Sequence, residues 1–245
     1  MLVQSDLAAH VTQSNPATKR SLWNRLWRWV FSLLTYFLLF SIGTVAALRW
    51  LPAPTSSFML YRHYQDLHDN RTFQPIRYDW VSYENMSHHA SRAVVASEDQ
   101  HFFQHSGFDV EAIQKAIVAN SKGKKIRGGS TISQQVAKNL FLTPSRSYIR
   151  KGVEAWFTFL IEQFWTKQRI LEVYLNIAEF GDHLFGIDSA SYHYFGVSAK
   201  KLTPSQAALL AATLPNPIIY HANKPSGYVI KRQRWILRQM KNLAG

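Results

Sequence analysis

Twenty consecutive residues without a charge, Trp29 to Leu48, constrain this chain more than any other feature. As a helix rising about 1.5 Å per residue, they reach across a hydrocarbon layer of about 30 Å. Whatever follows them is expected to work beside lipid. Lys19, Arg20, Arg25 and Arg28 precede the run, and Arg49 alone follows it closely. The positive-inside bias therefore predicts residues 1–28 as a cytoplasmic tail, 29–48 as a membrane helix and the remainder on the far side of the membrane. Trp23, Trp27, Trp29 and Trp50 lie where interfacial rings collect. A cleaved signal peptide is the competing reading, because Val45-Ala46-Ala47 loosely resembles a small-residue cleavage site. The run exceeds a normal signal-peptide apolar region, which favours an uncleaved anchor.

Leu51 to Ser57 is rich in proline and serine, so 49–60 reads as a linker and 61–245 as one domain. The chain has no cysteine, which excludes thiol chemistry and cysteine-based zinc sites. Residues 61–245 carry 23 Lys and Arg against 14 Asp and Glu, a net +9 before histidines. A basic domain beside a bilayer suits anionic headgroups or an anionic, lipid-borne ligand. Nucleic acid is the other usual partner of such charge, and the anchor argues against it.

Beyond about residue 83 the apolar spacing is helical. Ile113 and Ile117 are four apart, and Ile132, Val136 and Leu140 repeat at four. Val153, Trp156, Phe157, Leu160, Ile161 and Phe164 trace one helical face. Ala207 to Leu214 is a compact helix that Pro215 and Pro217 stop. Alternating strand patterns are scarce, so a mainly α domain is expected.

Four segments carry candidate chemistry. In Glu98-Asp99-Gln100-His101-Phe102-Phe103-Gln104-His105, adjacent carboxylates end a helical run. Phe102 and Phe103 would desolvate a neighbouring carboxylate and suit it to general-base work. A solvated helix end fits the same residues, and His101 and His105 read as structural hydrogen bonders. In Gly128-Gly129-Ser130-Thr131-Ile132-Ser133-Gln134-Gln135-Val136-Ala137-Lys138-Asn139, Thr131 and Gln134 form a capping box. A glycine turn opening onto a helix N-terminus, with a lysine two turns in, suits a pyrophosphate. An ordinary capped helix fits equally. In Arg146 to Glu154, with Thr143 as cap and Pro144 in the first turn, Arg146, Arg150 and Glu154 form one stripe. Such a stripe would favour a doubly charged ligand or be a plain surface stripe. Lys167 to Asn176 reads as scaffold, with Glu172 and Asn176 holding other elements by hydrogen bonds.

In this order and spacing the segments resemble the peptidoglycan glycosyltransferases, which polymerise lipid II. The resemblance rests on Glu98-Asp99 with Phe102, His105, Gly107 and Asp109, on Gly128 to Asn139, and on Arg150-Lys151 with Glu154. Ile170 to Asn176, Tyr194-Phe195-Gly196 and Ala207 to Pro217 extend it, so the match covers roughly 83–217. Ser133 stands where the family commonly has threonine, and a hydroxyl is retained. Only 28 residues follow Pro217, and Lys-Thr-Gly is absent, so the likeness is to the monofunctional type, without a transpeptidase.

The resemblance implies a lysozyme-like glycosyltransferase domain with a small membrane-associated jaw lobe, placed near 110–127, where Lys122 to Arg127 is a basic run. It implies an inverting transfer of a growing undecaprenyl-pyrophosphate-linked glycan to the GlcNAc 4-hydroxyl of lipid II. Glu98 matches the family's base, and Glu154 its second acidic residue. Lys138, Arg146 and Arg150 match groups that neutralise the leaving pyrophosphate. Asp99, His105, Ser130, Thr131, Gln135 and Asn139 match the pocket framework. No cofactor is obligatory, though a divalent ion, Mg2+ or Mn2+, could sit near Glu154. The expected setting is a bacterial inner membrane, single-pass, with the catalytic domain periplasmic and with cell-division or wall-synthesis proteins as partners. A muramidase or lytic transglycosylase, and a glycan-binding scaffold, are the competing readings. The first would lack a cationic pyrophosphate cradle, and the second would not need Glu98.

Overall fold

The computed structural model describes residues 16–121, 129–145 and 147–243. The chain divides into two compact units, Met1–Gly43 and Thr44–Gly245. Helix α1, Pro16–Ala47, starts well before the uncharged run. Its segment Leu22–Ala47 is long and apolar enough to cross a membrane, with mean hydropathy 2.0.

The second unit is mainly helical. In chain order it holds α2 (Ser57–His68), β1 (Arg77–Tyr78), α3 (His88–Glu98), α4 (Val110–Ser121) and α5 (Ile132–Phe141). After these come α6 (Tyr148–Phe164), α7 (Lys167–Ile177), β2 (Glu179–Gly181), β3 (Leu184–Phe185), α8 (Ile187–Phe195), α9 (Pro204–Thr213) and α10 (Gly227–Asn242). The strands form one small sheet in the order β1-β3-β2, with β1 parallel and β2 antiparallel to β3.

The core forms where the helical periodicity puts it. Ile132 and Val136 of α5 and Ile170, Leu171 and Leu175 of α7 are wholly buried, and α5 packs on both α6 and α7. Helix α9 turns Ala207, Ala208, Ala211 and Ala212 inward. Side chains this short let α3 and α10 approach it closely, and both pack against it. Its start carries Pro204 in the first turn and a Thr203–Gln206 capping box.

Several elements depart from the sequence expectation. Helix α2 begins at Ser57, inside the stretch read as linker, because Ser56 caps it by accepting the Met59 N–H. It is stitched to the sheet by Arg62, which donates twice to Glu179 at 2.7 Å. Buried Asp66 also meets His183 at 3.0 Å. Helix α6 starts at Tyr148 with Ser147 as cap, not at Pro144 with Thr143. A serine with extended backbone at 147 offers its oxygen to the Arg150 N–H, and that sets the start. The buried face of α6 centres on Glu154, Phe157, Leu160 and Ile161, while Val153, Trp156 and Phe164 are only half-buried. The region read as a jaw holds α4, but Lys122 to Arg127 lie outside the described residues.

The last turn of α1 and the residues after it belong to the second unit. The Trp165 indole donates to the Val45 carbonyl at 2.7 Å. Arg169 donates to the carbonyls of Leu48 and Leu51, closest at 2.5 Å. The Val45 carbonyl is one of the orphan acceptors that a helix C-terminus leaves, and Leu48 and Leu51 follow that terminus.

Candidate active site

Glu98 is the last residue of α3 and Asp99 its C-cap, so the two adjacent carboxylates leave the helix in different directions. Asp99 is buried and ties the first segment to the second. Its carboxylate takes the His105 Nε2 proton at 3.0 Å and accepts the Ile132 N–H at 3.0 Å, at the start of α5. His105 Nδ1 accepts the Gly107 N–H at 3.1 Å. That bond assigns the Nε2–H tautomer, the only one able to satisfy both contacts. Gly107 has φ +90, and a Cβ there would lie 2.9 Å from the Thr158 methyl. Its carbonyl accepts the Thr131 hydroxyl at 2.6 Å. The Thr131–Gln134 capping box is present as expected.

Behind this junction lies a second buried network. Ser133 donates to Glu162, and Lys167 donates to Glu162 at 2.8 Å and to the His105 carbonyl at 2.7 Å. The hydroxyl retained at position 133 is thus in use. Asn176 exchanges two hydrogen bonds with the backbone of Val81, each 2.9 Å, and Glu172 pairs with Arg169. Asn176 thus holds another segment as expected, whereas the Glu172 pair lies within α7 itself.

Glu98 itself is surrounded by donors. Oε1 accepts the Ser97 hydroxyl at 2.9 Å and Arg232 Nη2 at 3.3 Å, and Oε2 accepts the Gln135 amide at 3.1 Å. Tyr174, fully buried, donates to Gln135 Oε1 at 3.3 Å and so sets that amide's orientation. Burial, and secondarily the Glu98 charge, hold the Tyr174 phenol well above its ordinary range, so it stays a donor. The expected desolvation of Glu98 by aromatic rings is not found. Phe102 is wholly buried against Phe103, His105 and Lys167, and Phe103 is exposed. The recorded partners of Glu98 are polar because α5 and α10 supply them.

The cationic side comes from α5 and α6, which pack together. Lys138, in the last turn of α5, is half-buried with its ammonium 5.2 Å from the centre of the Phe58 ring. Burial pushes its pKa below the ordinary lysine value. The Glu154 and Glu98 carboxylates oppose that, while Arg150 and Lys151 add to it. Glu154 is 2% exposed, with Arg150 donating to Oε2 at 2.6 Å and Lys151 to Oε1. Among the described residues, Asn139 Oδ1 and Arg150 Nε are buried without a hydrogen-bond partner. Ser130 is exposed ahead of α5. Arg146 lies outside the described residues.

The surroundings of Glu154 do not fit a divalent ion. Both its oxygens are already taken by cationic side chains, and the described residues contain no group of three or more His, Cys, Asp or Glu able to hold a metal. A divalent ion there would sit directly against two bound cations, and their repulsion opposes it. Sequence reasoning did not single out Arg232 or Tyr174. Arg232 lies 134 positions from Glu98 in the sequence, so no local signal marked it.

Residues 66–241 match the family model described as Transglycosylase. The chain is 50% identical over 220 residues to the biosynthetic peptidoglycan transglycosylase of Pasteurella multocida, covering 90% of this chain and 89% of that protein. The same-named protein of Haemophilus influenzae is 51% identical over 222 residues, with 90% and 89% covered. That of Pseudomonas aeruginosa is 48% identical over 226 residues, with 92% and 95% covered.

Proposed function

Because this chain belongs to the transglycosylase family and polymerises the glycan chains of peptidoglycan, we propose that Glu98 is the general base of that transfer and that Lys138 and Arg150 stabilise its leaving group. The substrates on this reading are lipid II and a growing glycan on undecaprenyl pyrophosphate. Glu98 takes the proton from the GlcNAc 4-hydroxyl of the acceptor as its oxygen attacks C1 of the donor's terminal MurNAc. The C1–O bond to the pyrophosphate breaks, its electron pair leaves with the pyrophosphate, and the α-linked donor becomes a β-linked product. The developing negative charge on the leaving oxygen is met by fixed cations, usually the largest single contribution to such a step. Glu154 serves as a positioning residue that holds Arg150 and Lys151 in place. Arg146 remains the third proposed leaving-group cation, and Ser130, Thr131, Gln135 and Asn139 the framework that seats phosphate and sugar.

One observation carries the reading: α5 brings Gln135 to the Glu98 carboxylate at 3.1 Å, bears Lys138 one turn further on, and packs on α6, the helix of Arg150 and Glu154. Base and leaving-group cations thus share one locality, as a single displacement requires. The apolar helix at the N-terminus supports a single-pass anchor in a bacterial inner membrane with the catalytic unit on the periplasmic side. Incubation of the purified chain with fluorescent lipid II tests the chemistry. Wild type yields long polymer, Glu98→Gln yields about 10²–10⁴-fold less at unchanged lipid II binding, and Lys138→Ala chiefly lowers kcat. Near-normal synthesis by Glu98→Gln, or shortening of preformed glycan by wild type, would falsify the assignment.

A further inference from the structure

We propose that Arg232, on the C-terminal helix α10, is a positioning residue for glycosyl transfer: it holds the Glu98 carboxylate charged and aimed while leaving one of its lone pairs open to the acceptor hydroxyl. This inference rests on Glu98 being the base.

The argument starts from how unlike a stabilising ion pair the contact is. Arg62 meets Glu179 through two parallel hydrogen bonds of 2.7 Å, the fork geometry that arginine and carboxylate favour. Arg232 instead touches Glu98 with one nitrogen at 3.3 Å and shares that nitrogen with the Ser97 carbonyl at 3.4 Å. Its Nε is buried with no hydrogen-bond partner among the described residues, an arrangement that costs free energy. An arginine retained for stability would be better satisfied than this.

The arrangement makes sense as site geometry. An ionised carboxylate has about four acceptor positions. Ser97, Arg232 and Gln135 occupy three at Glu98. A two-pronged arginine would fill the fourth and leave no position for a substrate proton. The loose contact keeps a positive charge beside the carboxylate without closing it. Among the described residues, Lys138 of α5 and Tyr174 of α7 also interact electrostatically with Glu98. Lys138 is committed to the leaving group on the reading above, and Tyr174 stays neutral. Among the described residues, Arg232 is therefore the cation that stays hydrogen-bonded to Glu98 throughout the reaction. Helix α10 can deliver it because α10 packs directly on α3, whose last residue is Glu98.

The test uses the full-length chain in detergent, with lipid II polymerisation followed from low to high pH. Arg232→Gln, Arg232→Lys and Glu98→Gln are compared with wild type, and thermal unfolding is recorded for each. Arg232→Gln is expected to lower the plateau kcat about tenfold with KM within about twofold, and to displace the acid limb upward by about one pH unit, since removing a neighbouring cation disfavours the ionised carboxylate. Arg232→Lys keeps the charge, so its acid limb stays at the wild-type position although its plateau falls. An Arg232→Gln enzyme with the wild-type acid limb and plateau overturns the proposal. So does a variant that only melts earlier and regains a wild-type profile when assayed cold. If Arg232→Gln does not fold, an acid limb displaced in Arg232→Lys overturns it too. Activity surviving in Glu98→Gln defeats instead the base assignment, a distinguishable result.

Discussion

His105 shows how much a single side chain can fix. One ring nitrogen accepts from Gly107 and the other donates to Asp99, so the ring has one tautomer and one orientation. The residue types alone suggested a structural hydrogen bonder rather than a metal ligand, and this geometry is of that kind. Asp99 and Thr131, both matched to the pocket framework by the family resemblance, lie on either side of the same junction: Asp99 accepts the Ile132 N–H and Thr131 donates to the Gly107 carbonyl. The surroundings of Glu98 were not legible in the same way. Phe102 and Phe103 are adjacent to it in sequence, but the turn after α3 sends one ring into the core and the other to solvent. Lys138 gives the prediction that belongs here. Burial lowers its pKa, so its ammonium is lost at a lower pH than an ordinary lysine's, and the alkaline limb of kcat should fall below pH 10.5. Lys138→Arg, whose guanidinium stays protonated throughout, should flatten that limb in the lipid II assay.

The helices follow their local signals closely where a cap and a periodic apolar face coincide. The boxes at Thr131 and Thr203 are both present, and each helix starts where its box places it. Helix α6 failed this test, because Thr143 and Pro144 offered an apparent start one turn early and Ser147 offered the real one. Helix α2 was missed because prolines at 52 and 54 suggested a longer linker, and its fixation comes from distant partners, Glu179 and His183. Thr131 serves its helix and the preceding loop at once, through Gln134 and through the Gly107 carbonyl. Thr131→Ala should therefore destabilise the protein by about 1–2 kcal/mol, measured by denaturant unfolding. Thr131→Ser, which keeps both bonds, should recover most of that loss.

Across the whole chain, charge and hydropathy identified the apolar N-terminal helix and the mainly α architecture. They could not reveal where the compact unit begins, because that depends on contacts between segments about 120 residues apart. Trp165 and Arg169 hold the backbone of Val45, Leu48 and Leu51, and Tyr78 donates to the Ala53 carbonyl at 2.6 Å. The practical result concerns truncation. A soluble fragment cut at residue 61 would strip the Trp165 indole and the Arg169 guanidinium of the backbone carbonyls they donate to, and would discard Phe58 from beside Lys138. One cut at Thr44 would keep every one of these partners. Expressed side by side, the longer fragment should melt cooperatively and elongate glycan, and the shorter should precipitate or melt many degrees earlier. The few residues usually trimmed away as a tether would then be the seam that closes the fold.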